Sequence, residues 1–325
     1  MKERLKKIVK TKVRTNVRRL NHAVNYLFLK ENSLVILLYH RVSPKKEDNP
    51  LGTVISTELF ENQMKYLKDR YEITSLKECY AKGVNKSKNL RIAITFDDGY
   101  LDNFKYAFPI LKKLDISATF FLATDYIDSG KPIWDQQLQM ILDQGKHNFK
   151  IEDIDNNFLL ERSSYNQEDN IFLWEAINHL RFISPSRRNN ILDPIFKTLG
   201  QEIDFLNVRC LSWDEVKTMR DSGMHFGSHG CSHSSLVKLS DREIEKEILD
   251  SKRILEEKMS EDCMFFALPF GSQLDFNQRI IKRVEDLGYL KCLLNVRGNN
   301  LIDSDQFSLK RKSISSALDF VSILG

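Results

Sequence analysis

Short, wholly apolar runs set the limits on how this chain can fold. Leu34-Val35-Ile36-Leu37-Leu38-Tyr39 offers no polar face to either side of a pleat. A strand built from it must therefore be covered on both faces. Arg91 to Phe96 and Ala118 to Leu122 read as further strands. Helical patterns lie between them: Phe60, Met64 and Leu67 follow Ser56-Thr57, and Phe104 to Leu114 forms another. Covered strands alternating with helices make an α/β fold on a parallel sheet or barrel. Ser212-Trp213-Asp214-Glu215 and Ser240-Asp241-Arg242-Glu243 are capping boxes, the second opening a helix to about Met259. His225 to Ser228, Phe265 to Leu268, Tyr289 to Asn295 and Phe307 to Ile314 read as later strands. At 325 residues the chain suits one α/β barrel domain with additions.

Two segments stand apart from this rhythm. Residues 129–205 are polar and helix-like with few strand signals, as expected of an insertion that serves as a lid or partner surface. Residues 1–32 are expected to form a basic amphipathic helix, leaving 33–325 as the barrel domain. Leu5, Val9, Val13, Val17, Leu20, Val24 and Leu27 recur at helical spacing. Residues 1–30 carry ten Lys/Arg against one acid, Glu3, and the other residues hold 39 basic and 44 acidic side chains. Such a helix suits an anionic membrane surface, and no recognition motif points to nucleic acid. No signal-peptide pattern or spanning apolar run is present, and the five cysteines are scattered without CxxC spacing. The expectation is a cytoplasmic protein, peripheral on the inner face of a membrane.

The chemistry is concentrated in two places. Asp97 and Asp98 follow the Arg91–Phe96 strand and precede Gly99-Tyr100. His229 and His233 follow another strand at a spacing that, on a helical turn, points both imidazoles the same way. With Asp98 as third ligand the set is His₂Asp with open positions, which suits one divalent metal ion. Zn²⁺ fits best, and Co²⁺, Ni²⁺ or Mn²⁺ are compatible because ligand type does not choose among them. Asp97 is left beside the metal as a general base, the arrangement of a metal-assisted hydrolase.

Thr95-Phe96-Asp97-Asp98-Gly99 followed by His229-Gly230-Cys231-Ser232-His233 resembles the polysaccharide deacetylase family, the NodB-homology carbohydrate esterases. Ala118-Thr119-Phe120-Phe121 and Leu268-Pro269-Phe270-Gly271 extend the resemblance, which covers residues 34–128 and 206–325. It implies a distorted (β/α) barrel of fewer than eight strands and removal of an N-acetyl group from an amino sugar. It also implies Asp97 as base, Asp98, His229 and His233 as metal ligands, and the Phe270 N–H as an oxyanion donor. Two family features are missing: an Arg just before Pro269 and a histidine after His233. The poly-N-acetylglucosamine deacetylase branch, which takes its acid histidine from an N-terminal strand, suggests His40 as general acid. Arg311 is the candidate for orienting Asp97. Trp134, with Asp135, and Tyr100 are candidates for contacting the sugar.

The function expected is therefore an N-deacetylase acting on a polysaccharide or a lipid-linked glycan in surface-polysaccharide assembly. The alternatives are an O-deacetylase on the same barrel and a catalytically silent carbohydrate-binding relative.

Overall fold

The computed structural model describes residues 33–44, 50–81, 89–145, 148–162, 169–200, 203–302, 306–315 and 320. The basic segment 1–32, with the helix and membrane contact expected of it, lies outside the described residues. Strand β1 (Ser33–Tyr39) is buried at every position, as its unbroken apolar run requires. It pairs in parallel with β2 (Arg91–Phe96), and β3 (Thr119–Leu122), β4 (His225–Ser228), β5 (Phe265–Ala267) and β6 (Lys291–Leu294) follow in order, each parallel to the last. The short β7 (Asn300–Leu301) runs antiparallel to the start of β1. The circuit then comes nearly closed through one broken strand. Its first part, β8 (Ser308–Lys310), pairs with β6, and its second part, β9 (Lys312–Ser313), pairs with β1. Arg311 is the single residue between the two parts.

Alternation along the strands separates lumen from outer layer. Leu34, Ile36, Ala93, Phe121, Phe265, Ala267, Leu293 and Leu309 form one cluster, the barrel interior. Leu76 and Cys79, from the short helix Leu76–Tyr80, join it and plug the end where the strands begin. The opposite faces, with Val35, Leu37, Ile92, Ile94, Phe120 and Leu122, pack against the helices. Helix α1 (Thr57–Arg70) is capped by the Ser56 hydroxyl and buries Phe60, Met64 and Leu67, as its period predicts. Helix α2 spans Leu76–Tyr80, and α3 (Phe108–Lys113) continues a π-helical turn.

The insertion holds α4 (Trp134–Asp143), α5 (Asp169–Leu180) and α6 (Pro185–Leu199). It also holds a β-hairpin, Phe149–Asp153 with Phe158–Arg162, where only helix was expected. Ile151 is buried between exposed Lys150 and Glu152, so the period-two pattern was present but confined to five residues. Helix α7 (Trp213–Asp221) has the expected capping box. So does α8 (Asp241–Glu245), which runs through a π-helical turn, Lys246–Asp250, into α9 (Ser251–Met259). Helix α10 (Gln278–Asp286) lies between β5 and β6. No described helix is long and apolar enough to cross a membrane. All five cysteines are buried free thiols.

Candidate active site

The carboxyl ends of β1, β2, β4, β5 and β6 open on one cleft of about 320 Å³. Ligands gather at this end of a parallel barrel because each strand delivers the loop that follows it. Asp97 and Asp98 follow β2, His229 follows β4, Phe270 follows β5, and His40 follows β1; all of them line the cleft. Asp98 Oδ1 lies 3.5 Å from His229 Nε2 and 3.4 Å from His233 Nε2. The three donor atoms all fall within 4.8 Å of one another. His229 Nδ1 lies 2.8 Å from the Ala267 carbonyl, so Nδ1 carries the hydrogen and Nε2 keeps its lone pair toward Asp98.

This donor set fits a divalent cation. Asp98 Oδ1 is buried and has no hydrogen-bond partner, a costly state that an ion relieves. Burial pushes the Asp98 carboxyl up, but the neighbouring histidines outweigh it and hold it low, hence ionised. Burial drives His233 down to about 3, which leaves a neutral imidazole, the ligating form. His229 goes the other way, because the Asp97 and Asp98 carboxylates overcome burial and raise it. The negative field that would draw a proton onto Nε2 would equally draw a cation.

Asp97 takes no part in that trio. Its two carboxylate oxygens each accept a 2.7 Å hydrogen bond from Arg311, a buried bidentate pair. Burial pushes Asp97 up, and the charges of Arg311 and then His229 more than offset it, keeping the acid below its usual range. Arg311 also donates from Nε to the Leu294 carbonyl at 3.2 Å and stands 5.7 Å over the Phe121 ring. Phe121 fills the lumen because position 227 is glycine. A Cβ there would sit 2.5 Å from the Phe121 ring and 2.8 Å from the Phe265 carbonyl.

The two histidines are not on a helix, contrary to the expectation from their spacing. They sit on an irregular loop, and His233 has φ +53°. Left-handed backbone at a non-glycine residue is costly and persists only where the surroundings impose it. Asp98 (φ +77°) and Phe270 (φ +60°) share the feature. The histidine loop is held from two sides. Glu247, from the π-helical turn, accepts from the Cys231 and Ser232 N–H groups at 2.9 Å each and from the Ser232 hydroxyl at 2.7 Å. Arg188, fully buried on α6, donates to the Ser232 carbonyl at 2.8 Å, the Ser234 hydroxyl at 2.6 Å and the His233 carbonyl at 3.4 Å.

Two expected sugar contacts are corrected. Trp134 is only 2% exposed; its indole N–H donates to the His233 carbonyl at 3.0 Å, and Arg188 stacks 4.8 Å from its ring. It braces the histidine loop and is closed to a sugar. Tyr100 is 3% exposed and bridges to Cys210, outside the cleft lining. Asp135 does reach the cleft, 3.7 Å from His233 Nδ1, and burial and then the Asp98 charge push it up to about 7. The Cys231 thiol points to the Lys246 and Glu247 carbonyls, and burial lifts it to about 12. The sequence reading missed Arg188, Glu247 and the cleft-lining Trp174, Ile177 and Arg181 of the insertion. The spacing of the last three, i, i+3 and i+7, was the signal available for them.

Comparison with known proteins adds an independent line. The sequence profile described as Polysaccharide deacetylase matches residues 84–171 and 188–291. YxkH of Bacillus subtilis (strain 168), assigned by name to the polysaccharide deacetylases, is 23% identical over 299 residues, covering 89% of this chain and 74% of that protein. A poly-beta-1,6-N-acetyl-D-glucosamine N-deacetylase of Staphylococcus aureus is 35% identical over 113 residues, 30% of this chain and 38% of its own length. Among solved structures, the Streptococcus pyogenes deacetylase PplD in complex with acetate superposes with a TM-score of 0.59 at 19% identity, over 91% of this chain and 98% of that one. IcaB from Ammonifex degensii gives 0.55 at 18% identity, over 88% and 93%. At these identities the superpositions speak to the barrel fold.

Proposed function

The chain belongs to the polysaccharide deacetylase family, and we propose that it hydrolyses the N-acetyl group of an amino sugar in a glycan. Water and amide give acetate and a free amine. The observation that carries this reading is Asp97, an ionised carboxylate fixed by Arg311 beside the Asp98, His229 and His233 donors without joining them. The cofactor proposed is one divalent cation, Zn²⁺ by ligand type, held by those three donors. When bound there it would supply Lewis acidity toward the acetyl carbonyl and lower the pKa of water.

The chain's own residues carry the remaining work. Asp97 accepts the proton of the attacking water, and Arg311 keeps its two oxygens oriented. The Phe270 N–H meets no acceptor among the described residues, which supports its role as donor to the developing oxyanion. His40, lining the same cleft, protonates the departing amine; its own carbonyl is anchored by Asn103 at 2.7 Å.

The activity for which the Staphylococcus relative is named supports an N-acetylglucosamine polymer as substrate, and a lipid-linked glycan is the other substrate proposed. Assay of β-1,6-linked N-acetylglucosamine oligomers for acetate and for new amine tests the proposal. Equal amounts of both, lost with a chelator and restored by Zn²⁺, are expected. Acetate without amine would mean O-deacetylation, and binding without either would mean a silent relative. The basic segment 1–30 is proposed to hold the chain on anionic lipid. Unchanged sedimentation with anionic liposomes after its removal would exclude that.

A further inference from the structure

The insertion presents one helical face to the reacting centre. Trp174, Ile177 and Arg181, one stripe running along α5 and just past its end, line the same cleft as Asp97, Asp98 and the two histidines. Their neighbours Phe172, Leu173, Ala176 and Leu180 are buried in the core, which fixes the helix in rotation. Its end is tied to the histidine loop, because Ser235 N–H donates to the Arg181 carbonyl at 3.0 Å. Arg181 then stands 5.2 Å over the Phe270 ring, which is 4.7 Å from the His233 ring. Within this fixed wall Trp174 alone keeps a large open surface, 44% of its area. An indole left open at the wall of the cleft offers its flat apolar face to whatever occupies that cleft.

Resting on the deacetylase reading above, we propose that Trp174 is the aromatic platform of a second subsite, stacking the pyranose ring of the sugar unit next to the one deacetylated. The chemistry of the wall suits such a ring. A pyranose has an apolar C–H face for an indole and a rim of hydroxyls for polar groups. Arg181 Nε is buried without a partner, and Ser272, Asn295 and Ser313 line the same cleft. The subsite makes the protein selective for a chain of sugars over a single one.

Kinetics on β-1,6-linked N-acetylglucosamine from monomer to hexamer, with 4-nitrophenyl acetate as a small probe, tests this. Trp174→Ala should cost about tenfold in kcat/KM on the longer oligomers, mostly through KM, the size of one aromatic contact. It should leave the monomer and the ester within about twofold, and Trp174→Tyr should restore most of the loss. Equal loss on every probe, or no loss on the oligomers, overturns the proposal. Calorimetry on Asp97→Asn, with and without Trp174→Ala, reads the subsite without turnover. If no oligomer releases acetate but length-dependent binding still requires Trp174, the subsite stands and the deacetylase reading falls. Binding that does not depend on chain length overturns the subsite.

Discussion

The barrel rim and the 129–205 insertion meet in one cleft but contribute by different means. On the rim, side chains that face the reaction space follow buried strands directly, and their backbone is left-handed at Asp98 and Phe270. In the insertion, Trp134 and Arg188 face the other way and hold carbonyls of the histidine loop. The insertion's own face toward the cleft comes from Trp174, Ile177 and Arg181 along α5 and just past its end, with Asp135 of α4 beside them. The contrast separates the groups proposed to react from the groups that hold them still. Damage to the rim should abolish turnover in a folded protein, whereas damage to the insertion should loosen the histidine loop and weaken cation binding first.

The largest effects test the rim. His233→Ala removes one of three donors, so bound metal after dialysis and turnover should both fall to background. Asp97→Asn should keep the metal and lose about 10²–10⁴ in kcat, the usual share of a general base. Metal content and acetate release, measured on the same samples, distinguish the two. Near-wild-type turnover by Asp97→Asn would remove Asp97 as the base. Next comes Arg311→Met. Two charge-assisted bonds to Asp97 vanish while burial stays, so the Asp97 acid must rise. A base with a raised pKa is protonated over a wider acid range, so the acid limb of the kcat/KM profile should move to higher pH. The same depressed acid stabilises the fold above the unfolded carboxylate pKa, and that contribution fades as pH falls through the folded value. Arg311→Met should therefore flatten the loss of Tm in acid. An unmoved limb would mean that Asp97 does not set it.

Much of the rim could be read from sequence because chemistry and geometry coincide there. Asp97 and Asp98 end a run that can only be a covered strand, and His229 follows another. The histidine spacing was read for the wrong reason. Helical geometry was assumed, whereas a left-handed His233 and a loop held by Glu247 and Arg188 bring the rings together. Arg311 was legible only as a charge on a late strand; that it breaks this strand and closes the barrel is a matter of long-range pairing. The insertion was poorly legible for a physical reason. Trp134 and Trp174 are both tryptophans on amphipathic helices, and only packing decides that one is buried against His233 while the other stays open.

The smallest expected effect is the most direct test of the insertion's supporting role. Arg188 is fully buried, yet no carboxylate bonds to it among the described residues; its bonds go to two carbonyls and a hydroxyl. Burial lowers its pKa, so keeping the charge there costs stability that the loop contacts must offset. Methionine matches its volume roughly and removes both the charge and the donors, so Arg188→Met should be near neutral in Tm. The loop loses its carbonyl anchors, however, and His233 is the residue next to them. Cation affinity should fall by about 10- to 100-fold, the usual range for an outer-shell partner, and added Zn²⁺ should return kcat toward wild type. Trp134→Phe, which removes one donor to the same carbonyl and keeps most of the packing, should give a weaker version of the same pattern. A loss of kcat that saturating Zn²⁺ does not repair would place the insertion among the reacting groups and erase the distinction from the rim.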